Sequence, residues 1–77
     1  MIEERIRKIL SQVFGIEENQ VDLNSSKDSI ENWDSLNHMT LVSALEEEFG
    51  IVFEDDHIVE MMNFRLIMAV LKEKGVK

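Results

Sequence analysis

Seventy-seven residues suit one small domain, expected over residues 1–77, and with no cysteine the chain has neither disulfides nor thiolate metal ligands to hold it. Sixteen acidic against eight basic side chains give a formal net charge of −8, which argues against nucleic acid as a partner, because phosphate contacts need clustered Lys and Arg. Basic patches on other proteins are the natural complement, although acidity also serves solubility alone.

Proline is absent and glycine scarce, whereas Leu, Ile, Glu and Met are plentiful, the balance of a compact helical bundle. The first ten residues, MIEERIRKIL, mix charges into the apolar positions and do not read as a signal peptide. No apolar run approaches a membrane span. A soluble, cytoplasmic protein is expected.

Ile2, Ile6, Ile9, Leu10, Val13 and Phe14 recur at helical spacing and predict a first helix over residues 2–14. Glu3 and Glu4 lie near its positive end, Arg7 and Lys8 further along, and Gly15 is a C-terminal stop. The following IEENQVDLNSSKDSIENWD has no sustained helical period. Ile16, Val21, Leu23, Ile30 and Trp33 punctuate it, which predicts a long ordered loop pinned to the core, with room for one short helical turn. A second helix opens at DSL, with Asp34 as N-cap and Ser35 as the first helical residue, and ends near Phe49 before Gly50. Ile51, Val52 and Phe53 form an apolar link to a brief third helix over residues 54–61. Asn63 then caps a last helix in which Phe64, Ile67, Met68 and Leu71 share a face, with Lys72 and Lys74 near its negative end before Gly75. The fold class is all-α: a four-helix bundle of three main helices and one short one, with a long first loop.

At about 100° per residue, Leu41, Leu45 and Phe49 cluster on one side of the second helix, with Val42 and His38 close by. Leu36, Met39, Thr40, Ser43 and Glu47 fall on the opposite half. Two readings stand for that half: a shallow contact strip with an acidic margin, or ordinary scattered apolar residues, with Leu36 folded back under the long loop. Methionine adapts to partners of different shape, which suits a shared surface. Serine at a helix start commonly satisfies a free backbone N–H, but Asp34 already fills that role, leaving the Ser35 hydroxyl to point outward. A phosphate ester there would lie at the helix's positive end, where it is electrostatically favoured.

WDSL running directly into NHMTLVSALEEEFGI resembles the modification motif and second helix of the acyl carrier proteins. The likeness spans nearly the whole chain, from the amphipathic first helix to the last. DSL alone is a weak signal; with ALEEEFGI at its proper distance it becomes specific. The resemblance implies that Ser35 receives phosphopantetheine from coenzyme A as a phosphodiester and that the terminal thiol carries acyl or aminoacyl groups as thioesters. It implies that Asp34 helps a phosphopantetheinyl transferase recognise the site, and that Leu36, Met39, Ser43 and Glu47 lie where family members dock their partners. Those partners would be an acyl-loading ligase or transferase and downstream acyl-using enzymes with basic surfaces, in fatty-acid, polyketide, lipid or other specialised biosynthesis. The chain would be a monomer with no catalytic activity of its own.

Three positions depart from the family's pattern. Asn32 stands where Gly is frequent two residues before the aspartate, and Asn tolerates unusual backbone angles. Trp33 replaces a small residue and is expected to serve packing rather than recognition. Ser43 replaces a larger apolar residue, making the strip less greasy. WDSL with a histidine downstream resembles stand-alone carriers of specialised pathways.

Other chemistries are disfavoured. No nucleophile-elbow pattern surrounds Ser35, and His38 is expected to turn inward and bond a local carbonyl, so a hydrolase is not predicted. Asp22, Asn24, Ser26 and Asp28 alternate like the start of a calcium loop, but Lys27 and Trp33 occupy the positions that need Gly and Glu. Glu54 to His57 can be explained as acids at a helix start, and no metal site is predicted. The alternative function is an unmodified acidic interaction module of the same fold.

Overall fold

The computed structural model describes residues 2–76; Met1 and Lys77 lie outside the described residues. Four helices follow one another: α1 (Ile2–Phe14), α2 (Ser35–Phe49), α3 (Asp55–Glu60) and α4 (Phe64–Glu73). The all-α architecture is as expected. A single 3₁₀ turn, Glu18–Gln20, interrupts the long first loop.

α1 buries Ile6, Ile9, Leu10 and Phe14, with Ile2 and Val13 packed at the margin. α2 buries His38, Leu41, Val42 and Leu45, and α4 buries Phe64, Ile67, Val70 and Leu71. On α4, Val70 goes fully inside while Met68 is only half-buried; both flank the same apolar face. α3 itself is shorter than the predicted 54–61, because Glu54 and Met61 act as its caps.

Several helix ends are closed by local devices. Gly15, Gly50 and Gly75 alone among the described residues have positive φ. Gly50, at φ 63°, ends α2 in the left-handed conformation that side chains resist. α1 has no basic residue in its last turn, since Arg7 and Lys8 sit mid-helix. Its Phe14 carbonyl instead accepts a hydrogen bond from Asn32 Nδ2 at 3.1 Å.

The loop from Ile16 to Asp34 is pinned as predicted, with Val21, Ile30 and Trp33 buried and Ile16 and Leu23 packed against them. It is also strapped to the far end of the chain. Lys27 N–H donates to the Met62 carbonyl and Phe64 N–H to the Ser25 carbonyl, both at 2.9 Å, around an antiparallel bridge between Ser26 and Asn63. Ser25 is buried there, and its Oγ accepts from Asp22 N–H at 2.9 Å. These bonds satisfy backbone groups that would otherwise be left without partners in a long loop.

Candidate functional site

The approach to Ser35 is built by Ile30, Asn32, Trp33 and Asp34. Ile30 is buried and donates its N–H to Ser26. Asn32 reaches back to α1, and its own carbonyl accepts from Asn37 Nδ2 at 2.8 Å. Asn32 has negative φ, so it is kept for its side-chain amide rather than for an unusual backbone. Trp33 is 3 % exposed and stacks on Phe14 with ring centroids 4.9 Å apart, a packing role as expected. Asp34 is the N-cap in extended conformation, and its carboxylate accepts from Asn37 N–H at 2.8 Å.

With the cap supplied by Asp34, Ser35 stands exposed as the first residue of a 15-residue helix. Among the described residues its hydroxyl has no hydrogen-bond partner, and the N–H groups of Ser35 and Leu36 have no acceptor. An exposed hydroxyl beside two free amides at a helix N-terminus fits a phosphodiester: the oxygen is available for esterification and the amides for phosphate oxygens. His38, one turn along, points inward: its Nδ1 accepts from Trp33 Nε1–H at 2.9 Å, and its Nε2 meets the Ile58 carbonyl at 2.8 Å. Because Nδ1 accepts, the neutral ring carries its proton on Nε2 and donates it to Ile58.

Leu36 and Met39 are 77 % and 48 % exposed, so Leu36 does not fold under the loop. Ser43 and Glu47 are exposed on the same side of α2. At about 1.5 Å per residue, Leu36 to Glu47 make a strip of about 16 Å running from Ser35. Thr40 turns its hydroxyl back to the Leu36 carbonyl.

The three consecutive glutamates at the end of α2 have separate fates. Glu46 accepts from Phe53 N–H at 2.8 Å and fixes the link to α3. Glu48 is held by Arg5, whose Nε lies 2.8 Å from its carboxylate while Nη2 donates to its carbonyl, and whose guanidinium covers the Phe49 ring at 4.4 Å. Glu47 has no hydrogen bond or ion pair among the described residues. Between Lys27 and Arg65 every formally charged residue is acidic, so α2 and α3 present one sign to a partner.

The two clusters that resemble cation sites have local explanations. Asp22 accepts from Asn24 N–H and Ser26 Oγ from Asp28 N–H, at 2.8 and 3.2 Å, so these side chains are spent on their own turns. Glu54, Asp56 and His57 bring ligand-type atoms within 4.8 Å of one another, but Glu54 and His57 are reciprocally engaged in capping α3. Among the described residues no helix is long and apolar enough to cross a membrane.

Asn32 was weighed for its backbone rather than its amide, and Asn37, Glu46 and Arg5 were not singled out from sequence as supports of this site. Asparagine clustered just before and after a helix start was the available signal for the first two.

Residues 4–71 match the family described as the phosphopantetheine attachment site. Over 72 residues the chain is 36 % identical to acyl carrier protein 2 of Pseudomonas aeruginosa, covering 94 % of this chain and 91 % of that protein. Over 73 residues it is 33 % identical to an acyl carrier protein of Nitratidesulfovibrio vulgaris, covering 95 % and 96 %. The free hydroxyl at the start of α2 and this near-complete likeness converge: the chain belongs to the acyl carrier protein family, whose cofactor is covalently attached phosphopantetheine.

Proposed function

We infer that Ser35 is the attachment point and that this chain carries acyl or aminoacyl groups to partner enzymes without catalysing a reaction itself. The observation that carries this reading is the exposed, unpartnered Ser35 hydroxyl, freed because Asp34 caps α2. When bound, the prosthetic group supplies a terminal thiol on which acyl groups are held as thioesters. The chain's own residues do the rest. The free amides of Ser35 and Leu36 hold phosphate oxygens, and Asp34 fixes the helix start that a phosphopantetheinyl transferase must recognise.

Docking falls to Leu36, Met39, Ser43 and Glu47, a strip of modest greasiness with an acidic end. It suits loading and acyl-using enzymes with basic surfaces, because opposite charge speeds encounter and orients it. Fatty-acid, polyketide, lipid and other specialised biosyntheses all use such deliveries. The single unit over residues 1–77, acting as a cytoplasmic monomer, completes the reading.

Intact-mass spectrometry tests it. Incubation with coenzyme A, magnesium and a broad-specificity phosphopantetheinyl transferase should add the mass of one phosphopantetheine to the wild type and nothing to Ser35→Ala. A wild type that stays unmodified while an authentic carrier is loaded would identify the chain as an unmodified interaction module.

A further inference from the structure

α3 is the least embedded of the four helices. It has six residues, none of them fully buried, and its anchors are the flanking Phe53 and Met61. One specific bond ties it to α2. The Ile58 carbonyl, which in a longer helix would accept from Met62, loses that donor because Met62 N–H turns to Glu60 at 2.8 Å. His38 Nε2 takes its place at 2.8 Å, capping an otherwise orphaned carbonyl at the C-terminal end of α3. The ring is held from behind by Trp33, which is stacked on Phe14 of α1. Phe14, Trp33, His38 and Ile58 thus form a relay through α1, α2 and α3, one helical turn from Ser35.

The interior beside that relay is closed to solvent. Leu41, Leu45, Met61, Phe64, Ile67 and Leu71 are all 0 % exposed. Hollows of about 390, 560 and 380 Å³ lie elsewhere, under the long loop, beside Gly15, and between α1 and α2 at Glu47 and Glu48. Each includes carboxylate or amide side chains in its lining, unsuited to an alkyl chain that gains only from apolar walls.

We propose that His38 is a specificity-determining residue: it bolts α3 to α2 and keeps the bundle shut, so that cargo rides outside. The cargo class is then short or polar, such as aminoacyl or hydroxyacyl groups, which gain little from an apolar interior. This rests on the reading of Ser35 as the attachment point.

The test attaches cargo without a transferase. The chain has no cysteine, so Ser35→Cys offers one thiol. Its thiolate displaces iodide from an iodoacetamide bearing a pantetheine-length spacer and either a methyl or an octyl end. With His38 intact, the methyl resonances of Leu41, Leu45 and Met61 should be the same for both ends, and the melting temperature should not rise with the octyl end. In the His38→Ala background the octyl end should shift those resonances and raise the melting temperature above that of the methyl end. His38→Gln, whose amide can still donate to Ile58, should behave like the wild type.

Shifted core resonances with His38 intact would overturn the proposal, and so would a His38→Ala protein that remains indifferent to the octyl end. If His38→Ala fails to fold, Trp33→Phe replaces it: it keeps a ring but removes the N–H that steadies His38, and indifference to the octyl end there also overturns the proposal. Alkylation does not depend on Ser35 being a transferase substrate, so an unmodified wild type in the mass experiment sinks the attachment reading separately.

Discussion

Trp33 Nε1–H donates to His38 Nδ1 at 2.9 Å in the buried interior, and that one bond selects the tautomer of the ring. Removing the donor with Trp33→Phe strands a buried acceptor, at a cost of about 1–3 kcal/mol. Urea unfolding should register the loss. In ¹⁵N NMR the neutral ring of wild-type His38 should show a protonated Nε2 and an unprotonated Nδ1. A ring populating both tautomers equally would contradict the relay.

Asp34→Ala removes the acceptor for Asn37 N–H, and the helix start should lose about 1 kcal/mol. Asp34→Asn retains a side-chain oxygen and should recover most of that stability. Loading rates measured on the same two variants separate capping from recognition. If the transferase reads the negative charge, Asp34→Asn should load slowly while melting like the wild type.

Met39→Glu tests the docking strip. The side chain is half-exposed, so circular dichroism and melting should change little. Acylation by a native partner should slow by about tenfold, the loss of about 1.4 kcal/mol expected from one apolar contact replaced by a desolvated charge. Unchanged acylation kinetics would remove Met39 from the interface.

Glu47 and Glu48 are neighbours in sequence with opposite predicted phenotypes. Glu48→Ala breaks the tie to Arg5 and should lower stability by about 0.5–1 kcal/mol, a modest amount because both partners are nearly half-exposed. Glu47→Gln should leave stability alone and reduce both the rate of partner encounter and its dependence on salt. Stopped-flow association at two ionic strengths, with urea melts of both variants, checks the pair.

The helices were legible because their signals are local. Asp34, Gly50 and Asn63 punctuate the chain, and the apolar period of α1 is unbroken from Ile2 to Phe14. The exposed side of α2 was legible for the same reason, since Leu36, Met39, Ser43 and Glu47 share one arc. What could not be read was pairing across distance. EEE offers three identical side chains, and only the packing of α1 against α2 tells that Glu48 meets Arg5 and Glu46 meets the Phe53 amide. Asn32 was weighed as a tolerant backbone, whereas its amide serves α1, 18 residues earlier. The inward turn of His38 followed from its place on the wheel; its partner Trp33 did not, because a loop residue has no wheel.

The bridge between Ser26 and Asn63 also sets an order of events during synthesis. A nascent chain that has delivered Ser35 still lacks Met62 and Phe64, whose backbone groups hold down Lys27 and Ser25. Until residue 64 has been made, the loop that leads to Ser35 is therefore tied only to α1, through Asn32 and Trp33, and its second fastening arrives with the start of α4.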